Sequence, residues 1–264
     1  MWALIKWGLW QKRWFIMWWC IALVGFIFLN LIFYPSFKDQ AAQLEQSFSQ
    51  IPESTRALFS DTSDFFSPTG YLSSQVFYLM MPMLLGILAI TLGSSLIARE
   101  EKDGTIELLM SRPVSRRALL AGKALVGVVI LFAVGMVGML TTVIMSKLVD
   151  LAVPSKDIAL ATLASTLLAL SFGTVAYMIT SFGKARVASV GLATLFALGG
   201  YIIVSLSGAA SWLKWPSRAF PFHYYHASEI LEGTYQWRNM LFIVAVVLAS
   251  SIIAWVAFRR RDIA

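Results

Sequence analysis

Six stretches of about 20 residues in this chain contain no Asp, Glu, Lys or Arg: 15–34, 76–98, 124–145, 158–179, 187–206 and 240–258. A helix of about 20 apolar residues crosses about 30 Å of hydrocarbon. Backbone exposed to lipid must satisfy its own hydrogen bonds, so spans of this kind are helices. The pattern predicts an all-α polytopic membrane protein, one transmembrane domain over 1–264 with six spanning helices. The fourth stretch carries Thr162, Ser165, Thr166, Ser171 and Thr174, and reads as a helix buried among its neighbours. Only 13% of the residues are charged and 58% are hydrophobic, whereas a soluble domain is about 25% charged. An ordinary soluble enzyme is excluded.

Six spans put both termini on one side, together with the loops 99–123 and 184–186. That side holds 14 Lys/Arg and 5 Asp/Glu, and the other holds 7 and 9. The positive-inside rule then predicts a cell-membrane protein with both termini cytoplasmic. The net charge of +7 is thus a topology signal, and no nucleic-acid partner is expected. The first span lies too far in, and is too long, for a typical cleaved signal peptide, so it is expected to stay as an anchor.

Segment 1–14 carries Trp7, Trp10 and Trp14 on one helical face with Lys6 and Arg13 nearby, which predicts a short interfacial helix in the headgroup layer. A plain extension of the first span with an aromatic belt is the other reading. In the outer loop 35–75, Phe37, Ala41, Leu44, Phe48 and Ile51 recur at helical spacing before Pro52, predicting an amphipathic helix on the membrane face, and a second short helix is expected over 53–59. Segment 207–239 is rich in aromatics, among them Trp212, Trp215, Tyr224, Tyr225 and Trp237, and is expected to lie outside or to re-enter the bilayer.

Catalytic signatures are missing. No ionisable group lies inside a span, where one usually marks an ion or proton path. The sequence around Gly122-Lys123 is not a phosphate-binding loop, because Ala124 replaces the required hydroxyl residue and Arg117 the required glycine. Neither H-E-x-x-H nor G-x-S-x-G occurs. His223, His226 and Glu229 are spaced by three and could share a helical face around a metal, but interfacial histidines bonded to water or backbone are the plainer reading, and no metal is expected. Cys20, the single cysteine, reads as a small buried hydrophobe.

The loop 99–123 is patterned. Gly104 can end the helix continuing from the second span, Thr105 can cap a new short helix, and Pro113 closes it two residues past Ser111. Ser115 is then placed to cap the helix that becomes the third span. Ile106, Leu109 and Met110 give the short helix an apolar side, while Glu100, Glu101, Glu107, Arg112 and Arg116 supply charge. On residue patterns alone it is either a docking knob for a soluble partner or a well-capped connector.

An acidic pair, Glu100-Glu101, then Gly104-Thr105-x-Glu107-x-Leu109-x-Ser111-x-Pro113-Val114-Ser115-Arg116 and a Gly122-Lys123 opening the third span resemble the permease subunits of ABC exporters of type-2 architecture. The run Pro221-Phe222-His223-Tyr224-Tyr225, with Gly233 following, is a second, weaker likeness. The resemblance implies that the short helix is a cytoplasmic coupling helix docking a separate ATPase through Glu100, Glu101, Gly104, Thr105, Ile106, Glu107, Leu109, Arg112, Pro113 and Arg116. It implies no catalysis and no cofactor in this chain, with ATP and Mg bound by the partner ATPase. It also implies a second permease copy, as homodimer or paralogue, in a lipid membrane, exporting an amphiphilic or lipophilic cargo such as a peptide, antibiotic or lipid. Small and hydroxylated residues such as Thr141, Thr142, Ser189 and Thr194 are expected along the path. The competing classes are an ATP-independent channel or carrier, and a membrane scaffold.

Overall fold

The computed structural model describes residues 2–38, 40, 55, 66–95, 116–183, 186–208 and 210–259. Six of its helices are long and apolar enough to cross a membrane: Arg13–Lys38, Pro68–Ser95, Ala121–Leu148, Ser155–Ser181, Arg186–Leu206 and Trp237–Arg259. Each overlaps the uncharged stretch expected there, and no strand occurs among the described residues. In chain order we label α1 (Trp2–Gln11), α2 (Arg13–Ile32), α3 (Pro68–Leu72), α4 (Met80–Ser95), α5 (Arg116–Leu148), α6 (Ser155–Ser181), α7 (Arg186–Leu206), α8 (Lys214–Ser217), α9 (Ala227–Leu231) and α10 (Met240–Arg259). The short helices expected over the outer loop and the coupling segment fall outside the described residues.

The second span starts at Pro68 rather than at 76 because Ser67 caps it. Its Oγ accepts the Gly70 N–H at 3.0 Å, and Pro68 occupies the first helical position, where its missing donor costs nothing. α3 then continues through a π-helical turn, Ser73–Phe77, into α4.

α6 is the central helix, packed against α4, α5, α7 and α10. Thr162, Ser165, Thr166, Ser171, Thr180 and Ser181 are all buried along it. Each hydroxyl is satisfied by a carbonyl one turn back, at 2.6 to 2.9 Å. That back-bonding lets polar side chains lie in an apolar bundle without orphaned donors. The buried character expected of the fourth span thus has a direct physical basis.

Small residues let α4 and α6 touch at the backbone. Ala89 and Gly93 on α4 face Ala169 and Gly173 on α6, each pair four residues apart. A Cβ on Gly93 would strike the Gly173 carbonyl oxygen, and one on Gly173 would come within 2.9 Å of Ala89 Cβ. This is the small-xxx-small pattern of membrane helix pairs. On the other side of α6, a Cβ on Gly135 of α5 would lie 2.7 Å from Thr166 Oγ1, and Gly138 gives room to Leu23 of α2 and Met81 of α4.

These pairings make α4, α6 and α10 run parallel, with α2, α5 and α7 opposite. One end of the bundle, the terminal end, gathers the start of α2, the end of α4, the start of α5 and the ends of α6 and α10. At the far end Asp150 turns the chain from α5 to α6 with φ +50°. Gly183, φ +80°, closes α6 at the terminal end, its N–H on the Thr180 carbonyl at 2.9 Å. α1 is set off from α2 by a break at Lys12 and rests Gly8 on Val126 of α5. Trp7, Trp10 and Trp14 are each more than half exposed.

Candidate functional site: a re-entrant segment bound to the second span

The described part of α4 runs to Ser95 and that of α5 begins at Arg116, both at the terminal end of the bundle and flanking the proposed coupling segment in sequence. Of the residues assigned to docking, Glu100, Glu101, Gly104, Thr105, Ile106, Glu107, Leu109, Arg112 and Pro113 lie outside the described residues. Arg116 is the first residue of α5. At this end Tyr177 of α6 packs with Ala254 and Phe258 of α10, against Ala124 and Met178. Just above, Gly93 meets Gly173. The helix that leads into the segment is therefore in backbone contact with the centre of the bundle.

At the far end the chain after α7 turns back into the bundle. Phe220 fits the notch left by Gly200, where a Cβ would lie 2.6 Å from its ring, and packs on Phe196 at 5.5 Å between centroids. Phe222 stacks on Phe172 of α6 at 5.5 Å and meets Tyr201 edge-on at 5.6 Å. Phe196 lies ten residues before the end of α7, about 15 Å along a helix, so the aromatic tip reaches the middle of α7. The segment then climbs out through α9, whose Ala227, Ile230 and Leu231 are buried beside α6 and the π-helical turn. Tyr224 stacks on Phe242 of α10 at 4.2 Å.

Tyr225 joins this segment to two spans at once. Its hydroxyl donates to the Phe77 carbonyl at 2.8 Å and lies 2.8 Å from Ser165 Oγ. Ser165 also reaches the Ala161 carbonyl at 2.8 Å. Two hydroxyl protons serve these three contacts, so with Tyr225 donating to Phe77, Ser165 divides its proton between Tyr225 Oη and Ala161 O. Phe77 ends the π-helical turn, in which Tyr78 N–H reaches back five residues to Ser73 O at 2.7 Å. Pro82 has no N–H for the Tyr78 carbonyl, and the ordinary ladder resumes with Met83 N–H on Leu79 O at 2.8 Å. The stretch 73–82 is thus the weak point of the second span, and the tyrosine hydroxyl sits on it. π-helical turns of this kind concentrate at functional positions. Tyr78 adds a tie to α7 through Ser205 Oγ at 3.0 Å.

The histidines do not assemble a metal site. His223 lies in a 3-10 turn, Pro221–Tyr224, while extended Tyr225 (φ −109°, ψ 112°) separates it from His226 at the head of α9, so the three residues share no helical face. No group of three metal-ligating side chains exists among the described residues. His223 Nδ1 is 3.3 Å from Ser217 Oγ, and burial, then His226 and Arg218, hold its pKa below the usual histidine value. His226 Nδ1 is buried without a hydrogen-bond partner. Burial, with Glu229 nearby, pushes the Tyr235 hydroxyl upward, and that hydroxyl donates to the Tyr224 carbonyl.

Of the residues expected along a path, Thr142 and Ser189 are fully buried within the chain, and Thr141 and Thr142 bond back to Val137 and Gly138 carbonyls. Sequence reasoning missed Tyr225 as a link, because nothing local pairs it with a carbonyl 148 residues away. The Ala89/Gly93 and Ala169/Gly173 spacings were the available signal for the α4–α6 contact.

Six apolar helices of membrane-spanning length, with no strand among the described residues, define a polytopic membrane protein. Residues 12–263 match the model of the ABC-2 family transporter protein, and the chain belongs to that family, the membrane permease components of ABC transporters. No curated protein matches the chain.

Proposed function

We propose that this permease exports an amphiphilic or lipophilic cargo, driven by a separate ATPase that docks on the loop 99–123 at the cytoplasmic face of the cell membrane. The observation that carries this reading is the continuity of the second span. It runs from Ser95, the last described residue before the loop 99–123, through backbone contact at Gly93, to the π-helical turn held by Tyr225. Movement at the loop displaces one rigid helix, and its far half hinges at 73–82. The mechanism is a two-state assembly in which ATP binding in the partner favours the state with that hydrogen bond broken. ATP and Mg belong to the partner, and the loop residues from Glu100 to Arg116 orient it.

The working unit is a homodimer. α7 presents Gly191, Leu192, Leu195, Leu198 and Ile202 outward, and nothing lies within 4 Å of a Cβ placed on Gly191 or Gly199, so a second backbone can approach closely. A path between two such faces is apolar, which suits the cargo class. Affinity purification of the full chain in mild detergent tests the reading. Two copies of the chain with an ATP-binding subunit support it. Recovery of the chain without such a subunit sinks it in favour of a carrier or scaffold, and one copy beside a paralogue corrects the homodimer.

A further inference from the structure

All four described acidic residues, Asp150, Asp157, Glu229 and Glu232, lie at the far end of the bundle. The described residues of the terminal end include Lys6, Lys12, Arg13, Arg116, Arg117, Lys123, Arg186 and Arg259, and the five acidic residues that the sequence puts on that side lie outside the described residues. Within that rim, Lys6, Trp10 and Arg13 are spaced four and three apart on one side of the α1–α2 junction, and all three are exposed. The Arg13 guanidinium lies over the Trp10 ring at 4.1 Å, and its Nη1 donates to the Trp10 carbonyl at 3.3 Å. Arginine has five N–H donors in a planar fork that matches phosphate geometry, so stacking fixes the group while leaving an edge of the fork open.

Depth is set independently. Gly8 of α1 rests on Val126, three residues inside Lys123, and Lys123 is the last cation before the uncharged run that ends at Lys147. α1 is therefore held at the level of the charged rim, with exposed Trp7, Trp10 and Trp14 where aromatic rings partition into the headgroup layer.

We infer that Lys6, Trp10 and Arg13 form a binding site for the phosphate of an anionic phospholipid in the leaflet bordering the terminal end. The occupant is a lipid because the cations flank exposed indole at membrane depth. Its charge is negative because the terminal side as a whole is basic, 14 Lys/Arg against 5 Asp/Glu, and the exposed side chains at the site are cations. Arg13 grips the phosphate, Lys6 adds a second charge, and Trp10 fixes the guanidinium and covers the glycerol. The site does not depend on any ATPase.

Titrating the full-length chain in mixed micelles with phosphatidylglycerol or with phosphatidylcholine tests this. Wild type is expected to prefer phosphatidylglycerol, and 0.5 M salt to erode the preference. Near a membrane each cation accounts for roughly a 5-fold change in affinity and two for about 30-fold. Lys6→Gln with Arg13→Gln should weaken phosphatidylglycerol by that larger factor and leave phosphatidylcholine unchanged. Lys214→Gln with Arg238→Gln, at the far end, should change neither. If the double variant aggregates, Arg13→Gln alone decides, with a loss of roughly 5-fold expected. Wild-type affinity in the Lys6/Arg13 variants, equal binding of both lipids by wild type, or displacement of the lipid by millimolar inorganic phosphate overturns the inference.

Discussion

The hydroxyl of Tyr225 donates to the carbonyl of Phe77 across 2.8 Å, joining a segment between the last two spans to the π-helical turn within the second. One hydroxyl thus ties the segment before α9 to the π-helical turn and to Ser165 of α6. A hydrogen bond contributes about 1 kcal/mol net, while a buried carbonyl left without its partner costs about 1 to 3 kcal/mol.

Tyr225→Phe keeps the ring and removes the donor, so it should raise amide hydrogen exchange at residues 78–83 by roughly 5- to 30-fold. Ser165→Ala should do much less, since Tyr225 can still donate to Phe77. Equal effects of the two variants would place the constraint in packing rather than in the hydroxyl.

The α4–α6 crossing should be the least tolerant position in the bundle. Gly93→Val drives a branched side chain into the Gly173 carbonyl, beyond the ordinary overpacking cost of about 1 to 3 kcal/mol. Gly25→Ala, with open space around it, should be near neutral. Thermal melting in detergent, followed by size-exclusion monodispersity, checks the contrast.

Asp150 occupies the left-handed region, φ +50°, between α5 and α6. Asp150→Asn should be tolerated, because asparagine shares that conformation, while Asp150→Val should destabilise by about 1 to 3 kcal/mol. Melting of the two variants side by side measures it.

His223 makes stability pH-dependent with a definite sign. Its pKa in the folded chain lies below the ordinary 6.5 because burial, His226 and Arg218 all disfavour the charged ring. The unfolded chain therefore binds the extra proton first as pH falls. The contribution is fully present above about 6.5 and is lost as pH drops from there through the folded value. His223→Gln should flatten the melting temperature across that window, and a wild-type profile in the variant would assign the dependence elsewhere.

Most of the bundle was legible in the sequence because hydrocarbon tolerates so few alternatives. Charge-free runs of span length admit one backbone solution, and the hydroxyls of 162–174 announced a helix surrounded by protein. The early start at Pro68 was hidden because a Ser-Pro cap extends a helix through residues that are not themselves strongly apolar. The turn of segment 207–239 back into the bundle was not legible beyond its aromatic composition. Its depth depends on Gly200 receiving Phe220 and on Phe172 receiving Phe222, contacts between residues far apart in sequence. The docking loop stood out through its Gly104-Thr105 and Pro113-Val114-Ser115-Arg116 punctuation, which local capping chemistry explains without any tertiary partner.

The central claim is that an ATPase in another chain drives this one through the loop 99–123, and Glu101→Ala with Glu107→Ala tests it most directly. Both side chains belong to an exposed loop in this reading, where ion pairs add only about 0 to 1 kcal/mol to folding. Losing a partner across a partly desolvated interface costs about 2 to 5 kcal/mol, roughly 30-fold or more in affinity. The measurement is ATPase activity and subunit recovery after purification of the full chain from membranes. The account predicts that the wild-type chain brings down an active ATPase, and that the double variant folds and melts as wild type but loses it by that factor. Wild-type recovery and turnover in the double variant, or hydrolysis by the isolated chain that disappears with Lys123→Ala, would contradict it.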